Sequence, residues 1–397
     1  MLQKFAEKKK IIIVNNNMKI GGIQKALLDL LYAISPQYDV TLCLLYNAGE
    51  YLDIVPENVK IFACNSMYQY LGMSQRESKK KIKDHILRTL LVSITRLFGR
   101  NISMKIISAF SPKITMEYDC AISFMHNSGK YAFYGGCNDF VISKINAKKK
   151  ISFLHCDYEN CGGNYKKNNK IYEKFDAIAA CSEGCRRAFL RVLPHLEKKT
   201  HTVINCHNFE AIRKLSDEDP IVYDRDYINV IIVARLSPEK GIDRALYALK
   251  YAIDRGIKVI LHIVGNGISK GLLSELCQNL HVEDSVIFYG SQTNPYRYMK
   301  NSDFLFIPSV HEAAPLVIDE AVCLGVPILS TQTTSSTDMI IERNCGWVCE
   351  NSQEGINRKF YDILSNYDEI KRVKSLIDEC CICENDRALD MFDKIIN

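Results

Sequence analysis

The sequence predicts an α/β protein built from two doubly wound parallel sheets facing each other across a cleft. Short runs of bulky and β-branched residues recur from Lys10 to Cys349 with helical stretches between them, the pattern of strands buried on both faces. At 397 residues the chain exceeds one ordinary core and divides naturally into domains of roughly 200 residues. A polar, acidic interruption containing Ser216-Asp217-Glu218-Asp219-Pro220 separates two rounds of the same rhythm. The expected boundaries are a first domain at 1–206, a linker at 207–228, a second domain at 229–375 and closing helices at 376–397.

In the first domain, residues 10–14 read as the central strand, followed by a loop ending in Gly21-Gly22 and a helix over about 23–34. Two glycines at a helix start let the backbone approach a ligand, and the helix end favours an anion. Their spacing is not G-x-G-x-x-G, so the dinucleotide fingerprint is absent. Further strands are expected at 39–46, 59–63, 119–125, 150–154, 176–180 and 202–205. Ligands of such sheets collect at the carboxyl ends of the strands, which directs attention to His126, His155 and Asp157.

Residues 77–109 form a long basic stretch. Ile82, Ile86, Leu90, Ile94 and Phe98 recur at helical spacing, and Lys79, Lys80, Lys81, Lys83, Arg88, Arg96, Arg100 and Lys105 far outnumber Glu77 and Asp84. Such a helix fits an anionic membrane surface, or it packs its stripe on the domain.

The second domain has strands at 227–234, 258–264, 285–289, 303–307, 326–329 and 346–349. Its first strand leads into Arg235-Leu236-Ser237-Pro238-Glu239-Lys240-Gly241, where two cations and a helix start converge, a combination suited to a diphosphate. Its fourth leads into Glu312, then Pro315 at the first turn of a helix carrying Glu320.

Composition narrows the classes. Hydrophobic content of 47% with 24% charged residues describes a globular protein with ample core, and no apolar run reaches the length of a membrane span. The first ten residues carry no signal-like segment, so a cytoplasmic location is expected. The sixteen cysteines are scattered through predicted strands and helices, the pattern of reduced, buried thiols. Cys380-Cys381-Ile382-Cys383 lacks a second pair at zinc-like spacing and reads as packing thiols rather than a metal site. Net charge is +5, but the basic clusters lack interleaved aromatics, which excludes a single-strand nucleic-acid reader.

Four segments in order, Gly21-Gly22-Ile23, Ala234-Arg235-Leu236-Ser237-Pro238-Glu239-Lys240-Gly241, Ile263-Val264-Gly265-Asn266-Gly267 and Glu312 through Glu320, resemble the family-four retaining glycosyltransferases. The resemblance implies the GT-B fold of two Rossmann-like domains. It also implies that Arg235 and Lys240 bind the diphosphate of a nucleotide-sugar donor, Glu312 contacts sugar hydroxyls and Glu320 the ribose. Gly21, Gly22, Gly265, Gly267, Ala314, Pro315 and Leu316 would complete the donor cradle. His155 would lie beside the transferred sugar, with His126 and Asp157 on the acceptor side. No metal or other cofactor is implied, and the closing helices are expected to cross back to the first domain. Ala313-Ala314 replaces the family's common Gly-aromatic pair after the first glutamate, which reshapes the sugar pocket.

The expectation is a retaining glycosyltransferase acting on a glycan or lipid-linked acceptor in capsule, O-antigen or exopolysaccharide synthesis, peripheral at the inner membrane face. The alternatives are a nucleotide-sugar epimerase, a glycogen-type synthase, or a non-catalytic partner subunit with the same fold.

Overall fold

A computed structural model describes residues 8–127, 129–380 and 383–397. The first seven residues and the middle of the cysteine cluster at 380–383 therefore lie outside the described residues. The chain divides into two compact units, Met1–Cys206 with Asn385–Asn397, and His207–Glu384.

The first unit holds strands β1 (Lys10–Asn15), β2 (Asp39–Leu44), β3 (Lys60–Ala63), β4 (Glu117–Ser123), β5 (Asn146–Leu154), β6 (Ala177–Ala180) and β7 (Thr200–Thr202). They lie in the order β3-β2-β1-β4-β5-β6-β7, and every pairing is parallel. β1 is central, and Ile11, Ile12, Ile13 and Val14 are all buried because helices cover both faces. Chain order reverses between β1 and β4, so the loops leaving these strands diverge at a topological switch point. Gly21-Gly22 follows β1 and His126 follows β4.

The second unit has β8 (Ile228–Val233), β9 (Val259–Val264), β10 (Val286–Gly290), β11 (Phe304–Ile307), β12 (Ile328–Thr331) and β13 (Gly346–Cys349), ordered β10-β9-β8-β11-β12-β13 and again parallel. Its switch point lies between β8 and β11, the strands leading to Lys240 and to Glu312. Val230, Ile231, Leu261, Phe304 and Leu305 fill the core beneath.

Three expectations are corrected. The segment read as a linker contains a helix, Phe209–Asp217, because Asn208 accepts a hydrogen bond from the Ala211 N–H at 3.0 Å and Ile212 and Ser216 turn inward. The stretch 77–109 is not one helix: Ile82–Phe98 and Arg100–Ala109 meet at Gly99, whose φ of 80° and ψ of 160° suit glycine alone. Pro315 stands just before its helix, Leu316–Cys323, as the cap residue, with an extended ψ of 119°. No helix of the described residues is long and apolar enough to cross a membrane.

The last helix, Asp386–Ile396, belongs to the first unit. Tyr38 donates to Asp393 Oδ1 at 2.7 Å, its ring meets Phe392 edge-on at 6.1 Å, and Phe392, Ile395 and Ile396 are buried.

Candidate active site

In the second unit, the loops after β8 and β11 are bound to each other by backbone approach and by hydrogen bonds to backbone oxygens. Gly241 has a φ of 62°, and a Cβ there would sit 2.3 Å from the Pro308 carbonyl oxygen, so only glycine permits this approach. Val310 N–H donates to Glu239 O at 2.9 Å, and Arg244 reaches the Pro308 carbonyl at 3.4 Å. On this frame Lys240 Nζ lies 2.6 Å from Glu312 Oε1, with 23% and 11% of the two side chains exposed. Ser309 Oγ donates to the same carboxylate oxygen at 2.7 Å. Glu312 is thus fixed by a cation and a hydroxyl, one from each side of the switch point.

Arg235 is more open, at 70% exposed, and donates from Nη2 to Glu239 Oε1 at 2.7 Å. Ser237 Oγ donates to that oxygen at 2.6 Å. Burial raises the Glu239 carboxyl, but hydrogen bonds from Ser237, its own backbone N–H and Arg235 overcome this and hold it at about 2. The Arg235 guanidinium is therefore held at the loop by Glu239 and Ser237 while most of its side chain stays exposed to solvent, where an anion can reach it.

Glu320 is buried in the Leu316–Cys323 helix and accepts from Tyr296 Oη at 3.1 Å. Its neighbour Asp319 sits between His207 Nε2 at 3.1 Å and Arg343 Nη1 at 2.6 Å. Burial pushes Asp319 up, and the charge and hydrogen bond of His207, then those of Arg343, bring it down to about 2. Gly265 and Gly267 serve the backbone: Cβ atoms there would lie 1.8 Å from Ala234 O and 2.2 Å from Leu236 O. They allow the loop after β9 to press on the loop carrying Arg235. Ala313 O accepts from Ser335 Oγ, which anchors the turn before Ala314, Pro315 and Leu316.

In the first unit, His155 follows β5 with its ring 4.5 Å from Phe124 and 5.9 Å from Phe153. Burial lowers His126 to about 4, and burial with the nearby His126 lowers His155 to about 3, so both rings are neutral at pH 7. His126 Nδ1 and His155 Nε2 are buried and have no hydrogen-bond partner among the described residues. Each is an uncommitted polar atom of the kind that meets a ligand hydroxyl. Asp157 is engaged in its own turn, accepting from Glu159 N–H at 3.1 Å and Asn160 Nδ2 at 2.7 Å. Gly21 caps the Gly22–Ile34 helix in an extended conformation, and a Cβ on Gly22 would meet nothing within 4 Å. A cavity of about 420 Å³ lies instead at the amino ends of β1 and β4, where Lys148 and Asp119 already pair at 2.7 Å.

Sequence reasoning singled out the charged residues and missed Ser309, Tyr296, Ser237 and Glu239, which hold them. Ser309 lies three residues before Glu312, a local signal; Tyr296 reaches Glu320 from a distant segment and leaves none.

Residues 216–377 match the family Glycosyl transferases group 1. N-acetyl-alpha-D-glucosaminyl L-malate synthase of Bacillus anthracis is 34% identical over 212 residues, covering 51% of this chain and 54% of that protein. The N-acetylgalactosamine-N,N'-diacetylbacillosaminyl-diphospho-undecaprenol 4-alpha-N-acetylgalactosaminyltransferase of Campylobacter jejuni is 28% identical over 166 residues, 42% of this chain and 44% of that one. The chain thus spans about half the length of these curated relatives. The crystal structure of Anabaena HepE in complex with UDP superposes over 97% of this chain and 98% of that one, with 14% identity and a TM-score of 0.67. With two parallel sheets of this order, the chain has the GT-B fold, and its second unit is similar to the glycosyl transferases group 1.

Proposed function

We propose that this protein is a retaining glycosyltransferase that moves a sugar from a nucleotide-sugar donor to a growing, lipid-linked surface glycan. The observation that carries the reading is the junction of Lys240 and Glu312 at the switch point of the second unit, with Arg235 beside them. Arg235 and Lys240 neutralise the leaving diphosphate, the main electrostatic demand of the reaction, without a metal. Glu312 holds sugar hydroxyls and Glu320 the ribose. The sugar C1–O bond to phosphate breaks as the acceptor oxygen bonds C1 on the same face, and the acceptor proton passes to the departing phosphate. Neutral His155 and His126 offer ring nitrogens to the sugar and acceptor hydroxyls. The UDP complex of HepE makes UDP the first donor nucleotide to try.

The lipid-linked acceptor is supported by the Ile82–Phe98 helix. Leu91 and Thr95 pack inward, whereas Ile82, Ile86, Leu90 and Leu97 are 55% to 80% exposed. Lys79, Lys80, Lys81 and Lys83 are exposed at its start, while Glu77 is paired with Lys19 at 2.6 Å and Asp84 accepts from Tyr70 at 2.9 Å. An apolar face edged by exposed positive charge is complementary to an anionic bilayer. The diphospho-undecaprenol named for the Campylobacter relative is an acceptor of that class.

The deciding experiment is a thermal-shift screen against UDP, GDP, ADP and CMP and their sugar conjugates. A nucleotide at a hundred times its Kd stabilises the native state by about 2.7 kcal/mol. One nucleotide class is expected to raise Tm, and Arg235→Ala or Lys240→Ala to abolish the rise. No shift with any nucleotide would overturn the donor assignment.

A further inference from the structure

The loop after β9 carries Asn266-Gly267, the only Asn-Gly dipeptide in the chain. An asparagine followed by glycine is the least protected of its kind, because no side chain shields the peptide nitrogen that follows it. Packing requires the glycine: a Cβ on Gly267 would lie 2.2 Å from Leu236 O, a backbone atom that cannot yield. Leu236 N–H donates to Asn266 O at 3.0 Å, and Ser269 N–H donates to Leu236 O at 3.0 Å, so the pair is strapped to the turn that follows Arg235. The fold thus keeps a chemically fragile dipeptide where its glycine has no substitute.

Local geometry directs this asparagine onto its own backbone. Asn266 is exposed, and its Oδ1 accepts from Gly267 N–H at 2.8 Å, which folds the carboxamide over the nitrogen it would react with. Among the described residues that N–H has no other acceptor. The exposed Asn-Ser pairs lack this arrangement. Asn351 holds its Nδ2 on Val310 O and Gln332 O, both at 3.0 Å, and its Oδ1 accepts from Arg244 at 2.7 Å. After Asn65, the Ser66 N–H is already given to Cys64 O at 2.8 Å.

We propose that Asn266 is a self-modification site. The Gly267 nitrogen gives its proton to solvent base and bonds Asn266 Cγ; the Cγ–Nδ2 bond breaks and ammonia leaves with a proton taken from solvent, closing a succinimide. Water then opens the ring. Addition at Cγ breaks the new bond to nitrogen and gives aspartate, whereas addition at the main-chain carbonyl breaks the original peptide link and gives isoaspartate. One water is consumed and one ammonia released, with no change of oxidation state. In the isoaspartate product the carbonyl that held Leu236 N–H is a free carboxylate, and the main chain between Gly265 and Gly267 is longer by one methylene. Either product sets a negative charge beside the Arg235 turn. The chemistry is independent of the transferase reading, and its effect on nucleotide binding rests on that reading.

The full-length chain is aged in mildly alkaline buffer made with heavy-oxygen water, beside a synthetic peptide of residues 263–270, and both are mapped by mass spectrometry with isoaspartyl methyltransferase labelling. The expected result is heavy oxygen at Asn266 ahead of every other asparagine, and faster amide exchange at Leu236 in the aged protein. Asn266→Gln should stay unlabelled at that position. Labelling first at Asn351 or Asn65, or none at Asn266 once the peptide has reacted, would overturn the proposal. Titration with UDP then reads the consequence: aged protein should bind up to about five-fold more weakly than fresh, the effect of one exposed charge. Equal binding would overturn the loss of anion affinity, and binding by neither preparation would fall on the donor assignment, with the labelling result intact.

Discussion

Lys240 and Glu312 satisfy each other across 2.6 Å, and a diphosphate would compete with Glu312 for the same ammonium group. A partly exposed pair of this kind is worth up to about 1 kcal/mol. Glu312→Gln should therefore bind the bare nucleoside diphosphate no more weakly, and up to about five-fold more tightly, while transfer is lost. Calorimetric titration checks the first and a turnover assay the second; weakened nucleotide binding would show that Glu312 holds Lys240 in place rather than competing for it. The histidines of the first unit make a pH prediction. His126 and His155 protonate near 4 and 3 when folded, against about 6.5 when unfolded. Between those values the unfolded chain binds more protons, so stability is fully present above about 6.5 and is lost as pH falls toward 3. Each histidine contributes at most about 1.4 kcal/mol per pH unit to that slope. In urea titrations from pH 7 to 4, His126→Gln with His155→Gln should flatten the decline; an unchanged slope would sink the assignment. The charged members of the site were legible from strand ends and spacing, because charge at a strand's carboxyl end is a local feature. Tyr296 was not, because its bond to Glu320 spans two elements separated by a strand.

At the scale of elements, the buried strands announced themselves through β-branched runs such as Ile11-Ile12-Ile13-Val14, while their ends moved by a few residues where fraying and turns compete. Two of the misread segments each turn on a single residue. A polar stretch becomes a helix at Phe209–Asp217 once Asn208 caps it, and a continuous apolar period breaks at Gly99 because one backbone angle is taken by glycine. The period over 77–109 was visible, but not which way it points, since the inward face of Leu91 and Thr95 and the outward face of Ile82, Ile86 and Leu90 are equally apolar in part. Fully burying each of the outward side chains in a bilayer interface would contribute roughly 1.5–3 kcal/mol, and each lysine near an anionic surface about 1 kcal/mol. Vesicle sedimentation should then show binding to phosphatidylglycerol-containing membranes that weakens with salt. Making Lys79, Lys80, Lys81 and Lys83 acidic, or Ile82, Ile86 and Leu90 serine, should each abolish it. Equal binding to neutral vesicles, or no binding at all, would return this face to ordinary solvent exposure.

The whole molecule consists of one unit continuous in sequence, His207–Glu384, set between two pieces of the other. The amphipathic pattern of Asp386–Ile396 is plain in the sequence, but periodicity does not say which core receives it, and the resemblance supplied only the expectation of a return. Phe392, Ile395 and Ile396 bury their side chains in the first unit, which by area is worth roughly 5–9 kcal/mol, comparable to the net stability of a domain. Deleting 385–397 should therefore unfold the first unit while the second keeps its melting transition; calorimetry that showed both transitions unchanged would contradict the packing. The same connectivity bears on synthesis. Residues 207–384 leave the ribosome as an uninterrupted block and have all their strands in hand, whereas the first unit waits for a helix translated after them. Through that interval the surface destined for Phe392 stays bare, so the unit translated first is the one completed last.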